Sequence, residues 1–388
     1  MRVPKGFKAS GVSSGIKPRG LDLALIVSDL PCKAVGLFTS NRVKAAPVLY
    51  SKKVLRKGEV RAIVANSGCA NACTGSEGLA DAELMARLTE KTLGLRRGEV
   101  LVASTGVIGR RLPLEKVREA MPHLVEELSP EGFSKAAEAI MTTDTVPKIS
   151  WAEVKTPRVT GTILGIAKGA GMIRPDLATM LCFLVTDVGV EREMLMACLK
   201  EAVSASFNAI TVDGEQSTND TVFLLANGAR GELLQEEMPL FREALSRVTE
   251  ELSRKIVLDA EGATTLIEVR VEGAEDDAQA KRAAMRVANS PLVKTALFGR
   301  DPNWGRIMAA LGDSGIRLDP SKVSVWINGL KVVSDGKGTG VPEQMVQEAM
   351  ASGEVRVEIG LGLGEGRARI LTCDLSYEYV RINSEYTT

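Results

Sequence analysis

A glycine-rich stretch holding one lysine, Gly165-Ile166-Ala167-Lys168-Gly169-Ala170-Gly171, is followed after Pro175 by Ala178-Thr179 and then by the apolar run Met180 to Val185. Glycine lets backbone N–H groups come close to a ligand, so this loop could cradle an anion with Lys168 as its counter-charge. The spacing fits neither common phosphate loop. Lys168 precedes Gly169, no Gly-Lys-Ser/Thr follows, and the tail run Gly360-x-Gly362-x-Gly364-x-Gly366 also misses the dinucleotide pattern. A threonine ahead of an apolar run reads most simply as the start of a strand. It becomes chemistry if the chain is cut before it. Thr179 at a chain start would hold a hydroxyl and a free α-amine titrating near about 7.7–8.0, and that amine can act as base to its own Oγ.

The rest of the chain offers little conventional catalytic equipment. His123 is the single histidine and lies in a helix-like stretch, so any Ser-His or Cys-His pair would have to use it. The cysteines at 32, 69, 73, 182, 198 and 373 contain no Cys-x-x-Cys pair, and with one histidine no zinc-type cluster can be built. Buried, reduced thiols are the expectation, with no metal. Ser104-Thr105-Gly106 follows a short apolar strand and reads as a turn.

These residues need a scaffold, and the pattern alternates strands with helices. Strands are expected at 21–27, 61–65, 100–103 and 265–271. Helical spacing covers 78–93 (stopping at Gly94), 193–207, the Phe241-Leu245-Val248-Leu252-Ile256 stripe and 276–288, which Ser290-Pro291 should break. Ser129-Pro130 carries the signal of a helix start. The last third is richer in strands. Asn328-Gly329 sits between apolar arms as a hairpin turn, 343–350 is helical, and 355–360 and 368–380 read as strands. Composition shifts near 275–290.

The 388 residues carry 49 Lys plus Arg against 49 Asp plus Glu, so no basic excess favours a nucleic-acid partner. No apolar run approaches the roughly 18 residues of a membrane span, and the first residues lack a signal-peptide pattern, which leads to an expectation of a cytoplasmic chain with no membrane partner. Aromatic residues make up 4%, so the cores must be packed mainly with aliphatic side chains and alanine.

Several blocks together resemble one family. The Gly165–Leu181 segment is similar to the cleavage and nucleophile motif of the ornithine acetyltransferase (glutamate N-acetyltransferase) family of arginine biosynthesis. Asn66-Ser67-Gly68-Cys69-Ala70-Asn71-Ala72, Ser104 to Gly109, Met141-Thr142-Thr143-Asp144-Thr145, Asp213 to Asp220, Asp301 to Arg306 and Ile382 to Thr388 resemble further blocks in the same order, over essentially the whole chain.

The resemblance implies a mixed α+β fold, with helices covering two stacked sheets (an α-β-β-α sandwich) and a smaller C-terminal αβ domain at about 283–388. It implies self-cleavage between Ala178 and Thr179 into an α chain (1–178) and a β chain (179–388), assembled as α2β2. Thr179 would be the nucleophile that takes acetyl from N2-acetylornithine and passes it to glutamate in ping-pong fashion. Thr105 and Gly106 match the oxyanion hole. Thr142, Lys168, Thr179, Glu261, Asn383 and Thr388 match the substrate contacts, with Lys168 suited to an α-carboxylate and Glu261 to the ornithine ammonium. No cofactor is implied; whether acetyl-coenzyme A is a further donor is left open. Thr265 stands where the family often has lysine, and Asp176 where it often has asparagine, which puts fine specificity in doubt and leaves the reaction class alone. The alternative is an aminopeptidase or amidase with the same N-terminal nucleophile, passing its acyl group to water.

Overall fold

The computed structural model describes residues 1–56, 58–174 and 180–385. They form two units, the first of residues 1–208 and 215–256, the second of 209–214 with the chain from 257 onward.

In chain order the first unit runs β1 (Phe7–Val12), β2 (Leu23–Phe38), α1 (Ala46–Val54), β3 (Val60–Asn66), α2 (Gly75–Leu93), β4 (Val100–Ser104), α3 (Leu114–Glu126), α4 (Phe133–Ala139), β5 (Lys148–Lys155), β6 (Thr160–Lys168), β7 (Leu181–Thr186), α5 (Arg192–Ala205), β8 (Thr221–Ala226) and α6 (Met238–Leu258), the last ending at the unit boundary. The strands hydrogen-bond in the order β4-β3-β2-β8-β7-β6-β5, with β1 on β2.

The long strand β2 turns this path into two layers. Leu23 to Val27 pair with β3, and Lys33 to Phe38 pair with β8. Between them Asp29, Leu30 and Pro31 are exposed. Pro31 has no N–H to give to a ladder, so the strand can break its pairing and bend there. Side chains then segregate by alternation. Ile26, Ile63 and Leu101 from one layer meet Ile166, Phe183 and Phe223 from the other in a shared core. The opposite face of the first layer (Leu25, Ala62, Val64, Val102) packs on Met85 of α2 and on Val117 and Met121 of α3. Beyond the second layer, Val248 and Leu252 of α6 lie over Gly165 of β6, where a Cβ would come within 2.8 Å of Leu252. Helices therefore cover two stacked sheets, as the resemblance implied. β3, β4, β7 and β8 are apolar at nearly every position because both of their faces are covered.

One buried ion pair joins β5 to its surroundings. Lys148, the first residue of β5, is fully buried, and its Nζ donates to Asp144 Oδ1 at 2.6 Å. The same oxygen accepts the Gly169 N–H at 2.7 Å, just past the end of β6.

The second unit contains β9 (Leu266–Ala274), α7 (Asp277–Ala288), α8 (Pro291–Phe298), α9 (Trp304–Gly312), β10 (Ser324–Ile327), β11 (Leu330–Ser334), β12 (Lys337–Gly338), α10 (Glu343–Ala349), β13 (Glu354–Gly360), β14 (Gly366–Cys373) and α11 (Tyr377–Glu385). Its sheet has the order β12-β11-β10-β13-β9-β14, with β9 parallel to β13. Val269, Val271, Val325, Val357 and Ile370 pack against Ala280, Ala284 and Val287 of α7. Asn328 and Gly329 both have positive φ (45° and 82°), so the hairpin turn forms as its sequence dictates.

Three local expectations are corrected. The strand expected at 368–380 stops at Cys373, and 377–385 is helix α11. Its one-turn spacing is hidden in sequence because it buries no side chain. Ser290-Pro291 starts α8 rather than only ending α7: the Ser290 side chain accepts the Val293 N–H, with Pro291 at the first helical position. At Ser129-Pro130 a short 3-10 turn precedes α4, and the Ser129 backbone is drawn into pairing with Ala9 (2.9 and 3.1 Å) instead of its side chain capping a helix.

Two stability tests follow from this packing. Phe223 stacks on Phe183 (centroids 5.8 Å) and meets Phe38 edge-on (5.9 Å). Phe223→Ala should cost the first unit about 3–5 kcal/mol, seen as a lower thermal midpoint. For Asp144, burial pushes the carboxyl up, but Lys168, Lys148 and the hydrogen bonds outweigh it and hold it below its usual range. A depressed carboxylate contributes stability above its unfolded value, near about 3.9, and loses it as pH falls through the folded value. Asp144→Asn should destabilise by about 3–5 kcal/mol at neutral pH, because it removes the carboxylate facing a buried ammonium. Melting curves against pH should show the gap between wild type and variant closing below about pH 4.

Candidate active site

The C-terminal ends of parallel strands β3 and β4 lie side by side, with Asn66 opposite Ser104. The loops that leave them are laced together. Thr105 N–H donates to Asn66 O (3.0 Å), Ala70 N–H to Val107 O (3.0 Å) and Gly109 N–H to Ala72 O (3.0 Å). Asn66 Oδ1 accepts the Ser104 hydroxyl at 2.6 Å, and Asn219 Nδ2 donates to both Ala70 O (2.7 Å) and Ser104 O (2.8 Å). Thr105 is therefore held by its backbone, and its hydroxyl has no hydrogen-bond partner among the described residues. Gly106 has φ +125°, and a Cβ there would lie 2.4 Å from the Gly68 carbonyl carbon and 2.6 Å from Cys69 N. Only glycine fits this close approach. A fixed hydroxyl followed by a backbone in this conformation is an arrangement that can face a developing oxyanion.

A second loop, after α4, carries Thr142. Ser67 Oγ donates to Ala139 O at 2.7 Å, tying this loop to the first. Asp144 Oδ2 accepts the Thr142 N–H at 3.1 Å, while Oδ1 accepts from Lys148 and Gly169. One carboxylate thus fixes both Thr142 and the backbone just after Lys168. Lys168 is the last residue of β6, pairs with Leu181 of β7, and is 2% exposed. Within the first unit the structure brings together Thr142 and Lys168, both expected to hold substrate, through this one carboxylate.

Two more groups stand here that the sequence did not single out. The Asp22 carboxylate accepts from Ser14 N–H (2.6 Å), Ser14 Oγ (2.7 Å) and the Lys17 N–H (2.9 Å), shaping the 14–17 loop. Lys17 then lies across Gly68, where a Cβ would meet its Cγ at 2.8 Å, and its Nζ donates to Met141 O at 3.0 Å. Burial lowers the Lys17 pKa, and the Lys168 charge adds to that, against the pull of Asp22, Asp144 and Glu138. Asp220 is wholly buried at the start of β8. Its Oδ1 accepts the Met180 N–H at 2.7 Å, and its Oδ2 has no partner among the described residues. The neighbouring Thr39 hydroxyl gives its proton to Ser217 O at 2.8 Å. Burial holds the Asp220 carboxyl well above its usual range, against smaller opposing effects of the Met180 N–H, Lys168 and Thr39. In sequence, Asp220 showed only as the last residue of the Asp213-to-Asp220 block, with no role attached, and nothing marked Lys17.

Ala178, Thr179 and Thr388 lie outside the described residues, so the expected scission point, nucleophile and final substrate contact have no described geometry. Met180, the next residue in the chain after Thr179, is held by the Asp220 clamp.

In the second unit, Glu261 and Asn383 are brought together. Asn383 Nδ2 donates to Glu261 Oε2 at 2.7 Å and to Tyr379 O at 3.0 Å. Gly262 (φ +68°) would place a Cβ 2.5 Å from Tyr379 N, and Ser376 Oγ donates to Gly262 O at 2.6 Å, so the turn is seated on the start of α11. The Asp374 carboxylate takes the Thr264 and Thr265 N–H groups at 2.8 and 3.0 Å and fixes the far side of the turn.

His123 is 62% exposed on α3, away from a catalytic role. Five cysteines are buried as expected, whereas Cys73 is exposed, with φ +58° in a surface turn.

Comparison with known proteins bears on the family of the chain. The ArgJ family model matches residues 8–388. The arginine biosynthesis bifunctional protein ArgJ of Chlorobaculum tepidum is 47% identical over 387 residues, covering 99% of this chain and 96% of that protein. Its counterpart in Geobacter sulfurreducens is 47% identical over 398 residues, covering 99% of each. Among solved structures, the arginine biosynthesis bifunctional protein ArgJ of Bacillus halodurans matches with a TM-score of 0.50 and 36% identity, over 53% of this chain and 98% of that one. With a family match over nearly its whole length and relatives this similar end to end, the chain belongs to the ArgJ family.

Proposed function

We propose that this ArgJ-family acyltransferase serves arginine biosynthesis by cutting itself between Ala178 and Thr179 and then carrying acetyl from N2-acetylornithine to glutamate on Thr179. The observation that carries the reading is the convergence, in the first unit, of Thr105-Gly106, Thr142 and Lys168 in the same laced loops and strand ends, with the backbone just after Thr179 held by Asp220.

The chemistry balances without a histidine or a metal. In the precursor, Thr179 Oγ attacks the Ala178 carbonyl carbon, and the C–N bond breaks as the nitrogen takes a proton. The resulting ester is opened by water, leaving an Ala178 carboxylate and a free Thr179 amine. In the mature enzyme that amine takes the Oγ proton as the hydroxyl attacks the acetyl carbonyl of acetylornithine, and ornithine leaves with the proton. The α-amine of glutamate then attacks the acetyl ester, and Thr179 Oγ regains its hydrogen. Each step passes through a tetrahedral oxyanion, for which the Thr105 hydroxyl and the Gly106 N–H are the donors. Lys168 supplies the cation for an α-carboxylate common to donor and acceptor, and Glu261, Asn383 and Thr388 complete the substrate contacts.

The sheet also suits scission: β7 begins at Leu181, just past the cut, and lies between β6 and β8, so both products would remain hydrogen-bonded in one sheet. An α2β2 assembly and a cytoplasmic location belong to the same reading. Among the described residues no helix is long and apolar enough to cross a membrane.

Thr179→Ala should remain a single 388-residue band on a denaturing gel and release no ornithine; normal scission in that variant would remove Thr179 from the role. Thr105→Val should fold, cut itself more slowly and lose about 10²–10³ in turnover, the usual effect of one lost oxyanion donor. Incubating wild type with acetylornithine should release ornithine in step with added glutamate. Glutamate-independent release with free acetate would make the enzyme a hydrolase. Acetyl-coenzyme A with glutamate alone tests the second donor.

A further inference from the structure

The geometry points to Lys17 as a second cation of the substrate site, one that reads the side-chain carboxylate of the acceptor amino acid. This rests on the transferase reading above.

Three observations place Lys17 there. Its stem crosses Gly68, whose carbonyl carbon a Gly106 Cβ would meet at 2.4 Å, so one glycine touches both Lys17 and Gly106. Its Nζ donates to Met141 O at 3.0 Å, one residue before Thr142. Its charge and that of Lys168 act on each other, and both act on Asp144. The ammonium therefore stands among the residues expected to bind substrate, without belonging to the set that the resemblance supplied.

The ammonium is also available. It has three protons, and Met141 O is its one hydrogen-bond acceptor among the described residues. No carboxylate of those residues lies within ion-pairing distance of it. Of the acids that act on its charge, Glu138 is exposed on α4 and makes no ion pair with it, and the other two are already engaged. Both Asp22 oxygens accept from the 14–17 loop itself, and Asp144 accepts from Thr142, Lys148 and Gly169.

The substrates set the assignment. Acetylornithine has one carboxylate and a side-chain ammonium, whereas glutamate has two carboxylates. A single cation answers what they share, and a second answers what distinguishes the acceptor. Lys168 is buried at the strand end, and Lys17 is partly exposed on a loop, so Lys17 is the group able to meet a side chain that changes between the two half-reactions.

The test is a comparison of acceptors in wild type, Lys17→Met and Lys17→Arg. Mass spectrometry first reads the acetyl adduct formed from acetylornithine; its absence in wild type would overturn the transferase reading itself. With the adduct present, glutamate and glutamine are compared as acceptors. Lys17→Met should lower the preference for glutamate over glutamine at least tenfold, chiefly through the glutamate KM, as expected for one lost charge-assisted hydrogen bond. Lys17→Arg, which keeps the charge, should recover most of that preference. A preference unchanged in Lys17→Met, or kcat falling equally for both acceptors with KM unaltered, would overturn the assignment. A lowered melting temperature with the preference intact would make Lys17 a structural residue and overturn it too.

Discussion

The Asp144 carboxylate is the point on which the candidate site depends. It draws three donors from three segments: the Thr142 N–H from its own loop, the Lys148 ammonium from the start of β5, and the Gly169 N–H from beyond the end of β6. An isolated charge at that depth would cost several kcal/mol, so the position is tenable only because the acceptors are filled and a cation faces it. The same interaction that makes the charge tolerable fixes the distance between the Thr142 loop and the Lys168 strand end. Position and charge compensation are one arrangement, which suits a reaction that gains from preorganised dipoles more than from mobile ones.

The second device is the bend of β2. Because its two halves pair with β3 and with β8, the loops after β3 and β4 and the segments at the start of β7 and β8 come to the same edge of the stacked sheets. Asn219 makes this concrete: from the residue pair before β8 it donates to Ala70 and Ser104 of the other layer. The Asp220 oxygen that has no partner among the described residues lies next to it, a polar atom kept in the core where a carboxyl held above its usual range can keep its proton.

Much of this was legible in the sequence, and the omissions have a common cause. The apolar runs at 61–65, 100–103 and 180–185, the Gly94 stop and the Asn328-Gly329 hairpin are local signals, and they form as read. Thr105, Gly106, Thr142 and Lys168 came from motif resemblance, and the structure gathers them in one unit. Lys17 was invisible, because its role follows from what it lies across, Gly68, fifty residues away in sequence. α11 was misread as strand because a helix that buries nothing leaves no apolar stripe. The compositional shift near 275–290 falls after β9, yet β9 sits inside the second sheet, between β13 and β14; a parallel pairing made across about eighty intervening residues has no local signature.

The place of β7 has a consequence for the life of the molecule. Its antiparallel partner β6 precedes the proposed scission and its parallel partner β8 follows it, so the connection that brought β6 and β7 into register would exist only while the protein was being formed. Once severed, that register would persist by packing and ladder bonds alone. Denaturation would then turn an intramolecular search into a bimolecular one, with the entropy of association added to that of chain ordering. Such a protein keeps a memory of its uncut state that it cannot rewrite, and its durability is governed by how slowly it opens rather than by an equilibrium it could return to.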